Sequence, residues 1–108
     1  MKATDKIVVF ITTGSEAEAK KISELLLAKR KAACVNIVPK VGSRFWWQGK
    51  LDSAEESLLI VKTKMSALSE IVDMVKGTHS YSVPEIIALP IISGSEDYLK
   101  WVDDEVEG

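Results

Sequence analysis

Histidine, cysteine, asparagine and glutamine occur once each in this 108-residue chain, at His79, Cys34, Asn36 and Gln48. A single cysteine excludes an internal disulfide framework and fits a reducing compartment. A single histidine leaves no H-E-x-x-H pair, and there is no C-x-x-C to complete a zinc site. Neither a Gly-rich phosphate loop nor a nucleophile elbow is present, so the chain is not expected to be an enzyme. Fourteen Lys and Arg against sixteen Asp and Glu leave a net charge of −2. That is the wrong sign for a protein that grips phosphate backbones, and nucleic acid is not an expected partner. The first apolar run, Ile7 to Ile11, is far too short for a signal segment or a membrane span, which makes the cytoplasm the expected compartment. Scarce amides beside plentiful Lys and Glu match the bias of heat-adapted proteins.

What is present reads as one domain over residues 1–108, long enough to bury a core without staples. Ile7-Val8-Val9-Phe10-Ile11 is a short β-branched run ended by Thr12-Thr13-Gly14, hence a buried strand. Ser15 with Glu18 three residues on forms a capping-box pattern, and Ile22, Leu25 and Leu26 mark one face of an amphipathic helix reaching about Lys31. Ala33–Trp47 and Lys50–Lys64 form the arms of a long hairpin turning at Gln48-Gly49, with a bend or bulge at Pro39-Lys40. A second helix starts near Ser66 and stops at Lys76-Gly77, a strand covers Ile86–Ile92, and a short helix opens at Glu96-Asp97 before a frayed acidic tail, Asp103–Gly108. The order βαββαβ predicts an α+β, ferredoxin-like fold with both main helices on one face of an antiparallel sheet, plus a short C-terminal helix.

The helix-free face should then alternate with polar residues, and it does not. Ile7–Ile11, Leu58–Val61 and Ile86–Leu89 are continuous apolar runs, so both faces of the sheet need cover and a homo-oligomer is expected to supply it. Phe45, Trp46 and Trp47 near the hairpin turn point the same way, with Trp46 and Trp47 on opposite faces.

Among chemistry-bearing residues, His79 lies in a loop after the second helix and Glu85 at the mouth of the last strand. Cys34, flanked by Ala32, Ala33 and Val35, reads as a small buried hydrophobe rather than a reactive thiolate. Lys62 ends an apolar run and either snorkels or faces an anion pocket. Glu55-Glu56 reads as an acidic pair on a solvated surface.

The segments Ala32-Ala33-Cys34-Val35-Asn36-Ile37, Trp47-Gln48-Gly49-Lys50, Leu59–Thr63 and Val83-Pro84-Glu85-Ile86-Ile87-Ala88-Leu89-Pro90-Ile91, closing with Tyr98-Leu99-Lys100-Trp101, resemble the CutA divalent-cation tolerance proteins from about Ile7 to Trp101. The resemblance implies a trimer with interlocking hairpins, related in architecture to the PII signalling proteins, and a link to copper and other divalent metals. The family's usual His-Pro-Tyr-Glu-Val-Pro-Glu segment reads His79-Ser80-Tyr81-Ser82-Val83-Pro84-Glu85 here, with one carboxylate and one proline fewer. A cysteine that some members carry near the end of strand one matches Thr12. A weakened site is therefore expected, in which His79 and Glu85 hold Cu(II) or another borderline divalent ion loosely, with no obligatory cofactor. The expected function is that of a cytoplasmic homotrimer responding to divalent metal ions. The alternative is a PII-like signalling or scaffolding trimer that binds a small anion or a partner protein in an inter-subunit cleft, with Lys62, Tyr81, Trp47 and Cys34 as cleft residues.

Overall fold

A computed structural model describes residues 4–107. Strand β1 (Lys6–Thr13) leads to helix α1 (Glu16–Ala28), the hairpin β2 (Cys34–Trp47) and β3 (Lys50–Lys64), helix α2 (Leu68–Thr78), strand β4 (Ile86–Pro90) and helix α3 (Glu96–Glu105). The strands form one antiparallel sheet in the order β2-β3-β1-β4. This is the expected ferredoxin-like arrangement.

Local chemistry sets most of the boundaries. The Ser15 side chain accepts from the Glu18 amide at 3.1 Å and caps α1. At its other end Arg30 takes a left-handed φ of 57°, while Lys31 N–H bonds Leu26 O and Arg30 N–H bonds Leu27 O. This Schellman closure stops the helix at Ala28, short of Lys31. At the hairpin tip Gln48 (φ 51°) and Gly49 (φ 78°) are both left-handed, the two-residue turn whose twist matches the flanking strands. Between Val38↔Leu58 and Val41↔Glu56 the register shifts, so the expected bulge falls at Pro39-Lys40, with Lys40 at φ 59°. Helix α2 is preceded by a 3-10 turn, Met65–Ala67, and runs one residue beyond Gly77.

Strand β1 alternates strictly, with Ile7, Val9, Ile11 and Thr13 buried. Those residues meet Leu59, Val61 and Thr63 of β3, and the layer is completed by Ile22 and Leu26 of α1 and Ile71 and Val75 of α2. The opposite, helix-free face is carried by Val8, Phe10, Leu58 and Ile60, flanked by Ile87 and Leu89, which are 51% and 42% exposed in the single chain.

Two expectations need correction. The last strand ends at Pro90, paired with Ile7 next to the start of β1, and not at Ile92; Ile91 N–H still bonds Lys6 O. The segment after Asp103 is not a frayed tail. Val102 and Val106, one turn apart, are buried, Arg30 pairs with Glu105, and Glu107 N–H bonds Arg30 O. Asp103 also pairs with Lys6 at 3.2 Å and Lys64 at 3.7 Å. Helix α3 thus closes the end of the sheet where β1 begins and β3 ends; Gly108 lies outside the described residues.

Candidate functional site

The loop from His79 to Glu85 crosses the other end of the sheet, next to the last residues of β1 and the first turn of α1. His79 follows α2 directly, and its amide closes that helix on Val75 O at 2.8 Å. Its side chain is fully buried. Nε2 lies 2.7 Å from Thr12 O, and Nδ1 is 3.0 Å from the Tyr81 amide nitrogen. A backbone N–H can only donate, so Nδ1 is the acceptor and Nε2 carries the proton it donates to Thr12. Both ring nitrogens are in use, so ligation by His79 requires one of these bonds to break. Its carboxylate neighbour is Glu18, at 3.9 Å, and not Glu85.

Glu18 holds the same loop. Its carboxylate accepts from the Ser80 amide at 3.0 Å and from Ser80 Oγ at 3.2 Å. The capping-box pattern is thereby half realised: Ser15 caps the Glu18 amide, but the Glu18 side chain reaches across the molecule instead of back to Ser15.

The Tyr81 ring leans on His79 with centroids 4.8 Å apart, and its hydroxyl donates to Glu56 at 3.0 Å. Gly14 makes room for it, since a Cβ there would stand 3.1 Å from the Tyr81 oxygen. Partial burial, then the hydrogen bond and charge of Glu56, hold the Tyr81 phenol above its ordinary range. Glu56 itself is buried, which the sequence reading missed. Glu55 and Glu56 point to opposite faces of β3, and only Glu55 is solvated.

Between this loop and the hairpin lies a cleft of about 760 Å³, whose lining includes Phe45, Trp47, Asp52, Glu56, Tyr81 and Glu85. Trp46, on the other face, is outside it, as the alternation requires. Burial against the cleft wall, and then the nearby charge of Glu56, push the Glu85 carboxyl up even though the residue keeps much of its surface open. Asp52, Glu56 and Glu85 face Arg44 as the one cation among the lining residues, so the cleft is acidic.

Tyr81 and Trp47 line this cleft of the single chain, and Lys62 and Cys34 stand apart from it. Those two are cross-strand partners near the opposite end of the sheet, where Lys62 bonds the Asn36 side chain. Cys34 is half-exposed rather than buried and faces the Tyr98 hydroxyl of α3. Lys64 turns to Asp103. Among the described residues no three His, Cys, Asp or Glu side chains converge as a ready-made metal cage.

With this geometry fixed, likeness to known proteins decides the family. The model of the CutA1 divalent ion tolerance protein family matches residues 7–105. The chain belongs to that family. The CutA divalent-cation tolerance protein of Archaeoglobus fulgidus is 46% identical over 99 residues, covering 92% of this chain and 96% of the relative. The chloroplastic CutA of Arabidopsis thaliana is 44% identical over 94% of this chain but 56% of its own length; the chain spans about half the length of the chloroplastic relatives it matches. Among solved structures, the divalent cation tolerance protein of Thermus thermophilus superposes with a TM-score of 0.93 at 44% identity, covering 94% of this chain and 99% of the other. The Archaeoglobus fulgidus structure, described as periplasmic, gives 0.91 at 45% identity, again covering 94% and 99%. Among the described residues no helix is long and apolar enough to cross a membrane.

Proposed function

We propose that this divalent-cation tolerance protein binds a divalent ion weakly in the cleft, with Glu85 and Glu56 as its protein ligands, and does no chemistry on it. The observation that carries this reading is the meeting of two carboxylates in one partly desolvated cleft, where the Glu56 charge helps hold the Glu85 carboxyl up. Like charges held together there are relieved by a cation, and oxygen donors suit hard or borderline ions. Water or a neighbouring subunit completes the coordination. Glu85 keeps the ligand role expected of it, while Glu56 takes the place expected for His79, whose nitrogens already serve Thr12 and Tyr81.

The assembly we propose is a homotrimer. Its support is the apolar helix-free face, where Phe10 pairs with Ile60 on one side and Ile87 on the other without a layer of the same chain above it. The proposed compartment is the cytoplasm, in keeping with the one free cysteine. Calorimetric titration with Mn(II) and Cu(II) tests the binding reading. Glu85→Gln and Glu56→Gln are each expected to weaken the isotherm by about tenfold or more, as loss of one charged ligand of roughly 1.4 kcal/mol or more implies. A Glu85→Gln isotherm identical to wild type removes the site.

A further inference from the structure

We infer that Glu18 is the positioning residue of this cleft, acting through Ser80; the inference rests on the cation-binding reading above. Glu18 sits in the first turn of α1, a rigid element whose N-terminal dipole favours a carboxylate. The loop it holds has no regular structure between Thr78 and Ile86. Two donors of one residue, Ser80 N–H and Ser80 Oγ–H, converge on the two oxygens of Glu18 at 3.0 and 3.2 Å. A two-point, charge-assisted contact fixes direction as well as distance. The Glu18 side chain is 15% exposed and the adjoining His79 ring is fully buried, so the acceptor is held from the protein side while Ser80 itself stays exposed.

The consequences run along the chain in both directions. On one side of Ser80, His79 is set against Thr12; on the other, the Tyr81 amide reaches His79 Nδ1 and the Tyr81 hydroxyl reaches Glu56. Glu85 enters the cleft four residues after Tyr81 and directly before Ile86, which β1 holds opposite Ile11. The span that carries it is therefore pinned at both ends, by Glu18 at Ser80 and by the sheet at Ile86. Glu18 lies outside the cleft lining, yet it fixes the near end of the loop that lines the cleft and, through that loop, the Tyr81 hydroxyl that bonds Glu56.

The test uses the full chain and two readouts. Amide hydrogen exchange at Ser80 and Tyr81, measured without metal, reads the clamp; Mn(II) affinity reads the positioning. In Glu18→Ala both amides are expected to exchange at least about tenfold faster while amides of β1 and β3 stay protected, and Mn(II) is expected to bind about tenfold more weakly. Glu18→Gln keeps one acceptor oxygen and should fall between. Ser80→Pro removes the amide donor and the hydroxyl, and the extended His79 backbone (φ −73°, ψ 141°) accepts a following proline. In that background Glu18→Ala should add little further loss of affinity, because the partner it served is gone. Unchanged amide exchange in Glu18→Ala overturns the clamp. Faster exchange with unchanged Mn(II) affinity overturns the positioning role. A wild-type chain that takes up no Mn(II) overturns the proposed function and the positioning role together, while the exchange result still decides the clamp.

Discussion

Replacing His79 by alanine separates a structural imidazole from a metal ligand. The ring is fully buried and makes two hydrogen bonds, at 2.7 Å to Thr12 O and 3.0 Å from the Tyr81 amide. Each is worth about 1 kcal/mol net, and the Thr12 carbonyl, the more buried of the two backbone partners, costs about 1 kcal/mol more when left without its own, while the exposed Tyr81 amide turns to water. His79→Ala should therefore destabilise the protein by roughly 3 kcal/mol, before any cavity left by the ring is counted. With a urea m-value of about 2 kcal/mol/M, the unfolding midpoint should fall by about 1.5 M. The assay is urea denaturation in chelator, at one fixed chain concentration because assembly contributes to apparent stability. Full loss of stability without metal is the mark of a structural ring. His79→Gln, which offers both a donor and an acceptor, should recover part of it. A metal-free midpoint within about 0.3 M of wild type, together with abolished Cu(II) binding, would falsify this reasoning and restore His79 as a free ligand.

The Glu85 carboxyl is raised in the folded state by burial and by Glu56. For such a group the folded state holds its proton more tightly, so its contribution is present at acid pH, below the ordinary carboxyl range, and is lost as pH rises through the raised value. Glu85→Gln should thus be more stable than wild type at neutral pH and lose that advantage on acidification, as denaturation at several pH values will show. For the same reason Mn(II) affinity should climb with pH through the titration of Glu85. Gly14→Ala places a Cβ 3.1 Å from the Tyr81 oxygen and 3.3 Å from Cε1. It should displace the phenol from Glu56 and cost about 1 kcal/mol in urea denaturation, and much less in a Tyr81→Phe background. Ile87→Glu puts a charge on the helix-free face beside Phe10. Light scattering should then give a mass near the 11.9 kDa of one chain, where wild type gives about three times that.

The elements were legible because their signals are local. Apolar residues at period two and 3.6, Ser15 ahead of Glu18, the Pro39-Lys40 bulge and the Gln48-Gly49 turn each act within a few residues of themselves. The C-terminal segment misled for the same reason. Asp103, Asp104 and Glu105 dominate a window in which the informative feature is Val102 and Val106, spaced one helical turn apart and buried against the rest of the fold.

The candidate site divides along the same line. The sequence alone established the family pattern and the fold, and it singled out the His79–Glu85 loop as the candidate, since motifs and hydrophobic period are properties of neighbouring residues. Which atoms of that loop are free was settled by contacts between residues far apart in the chain: Thr12 with His79, Glu18 with Ser80, Glu56 with Tyr81. Hydrogen-bond partners and burial depend on what the fold brings opposite a side chain. The tertiary structure therefore turned the lone histidine into a buried post, and one of two adjacent surface glutamates into the inner wall of the cleft.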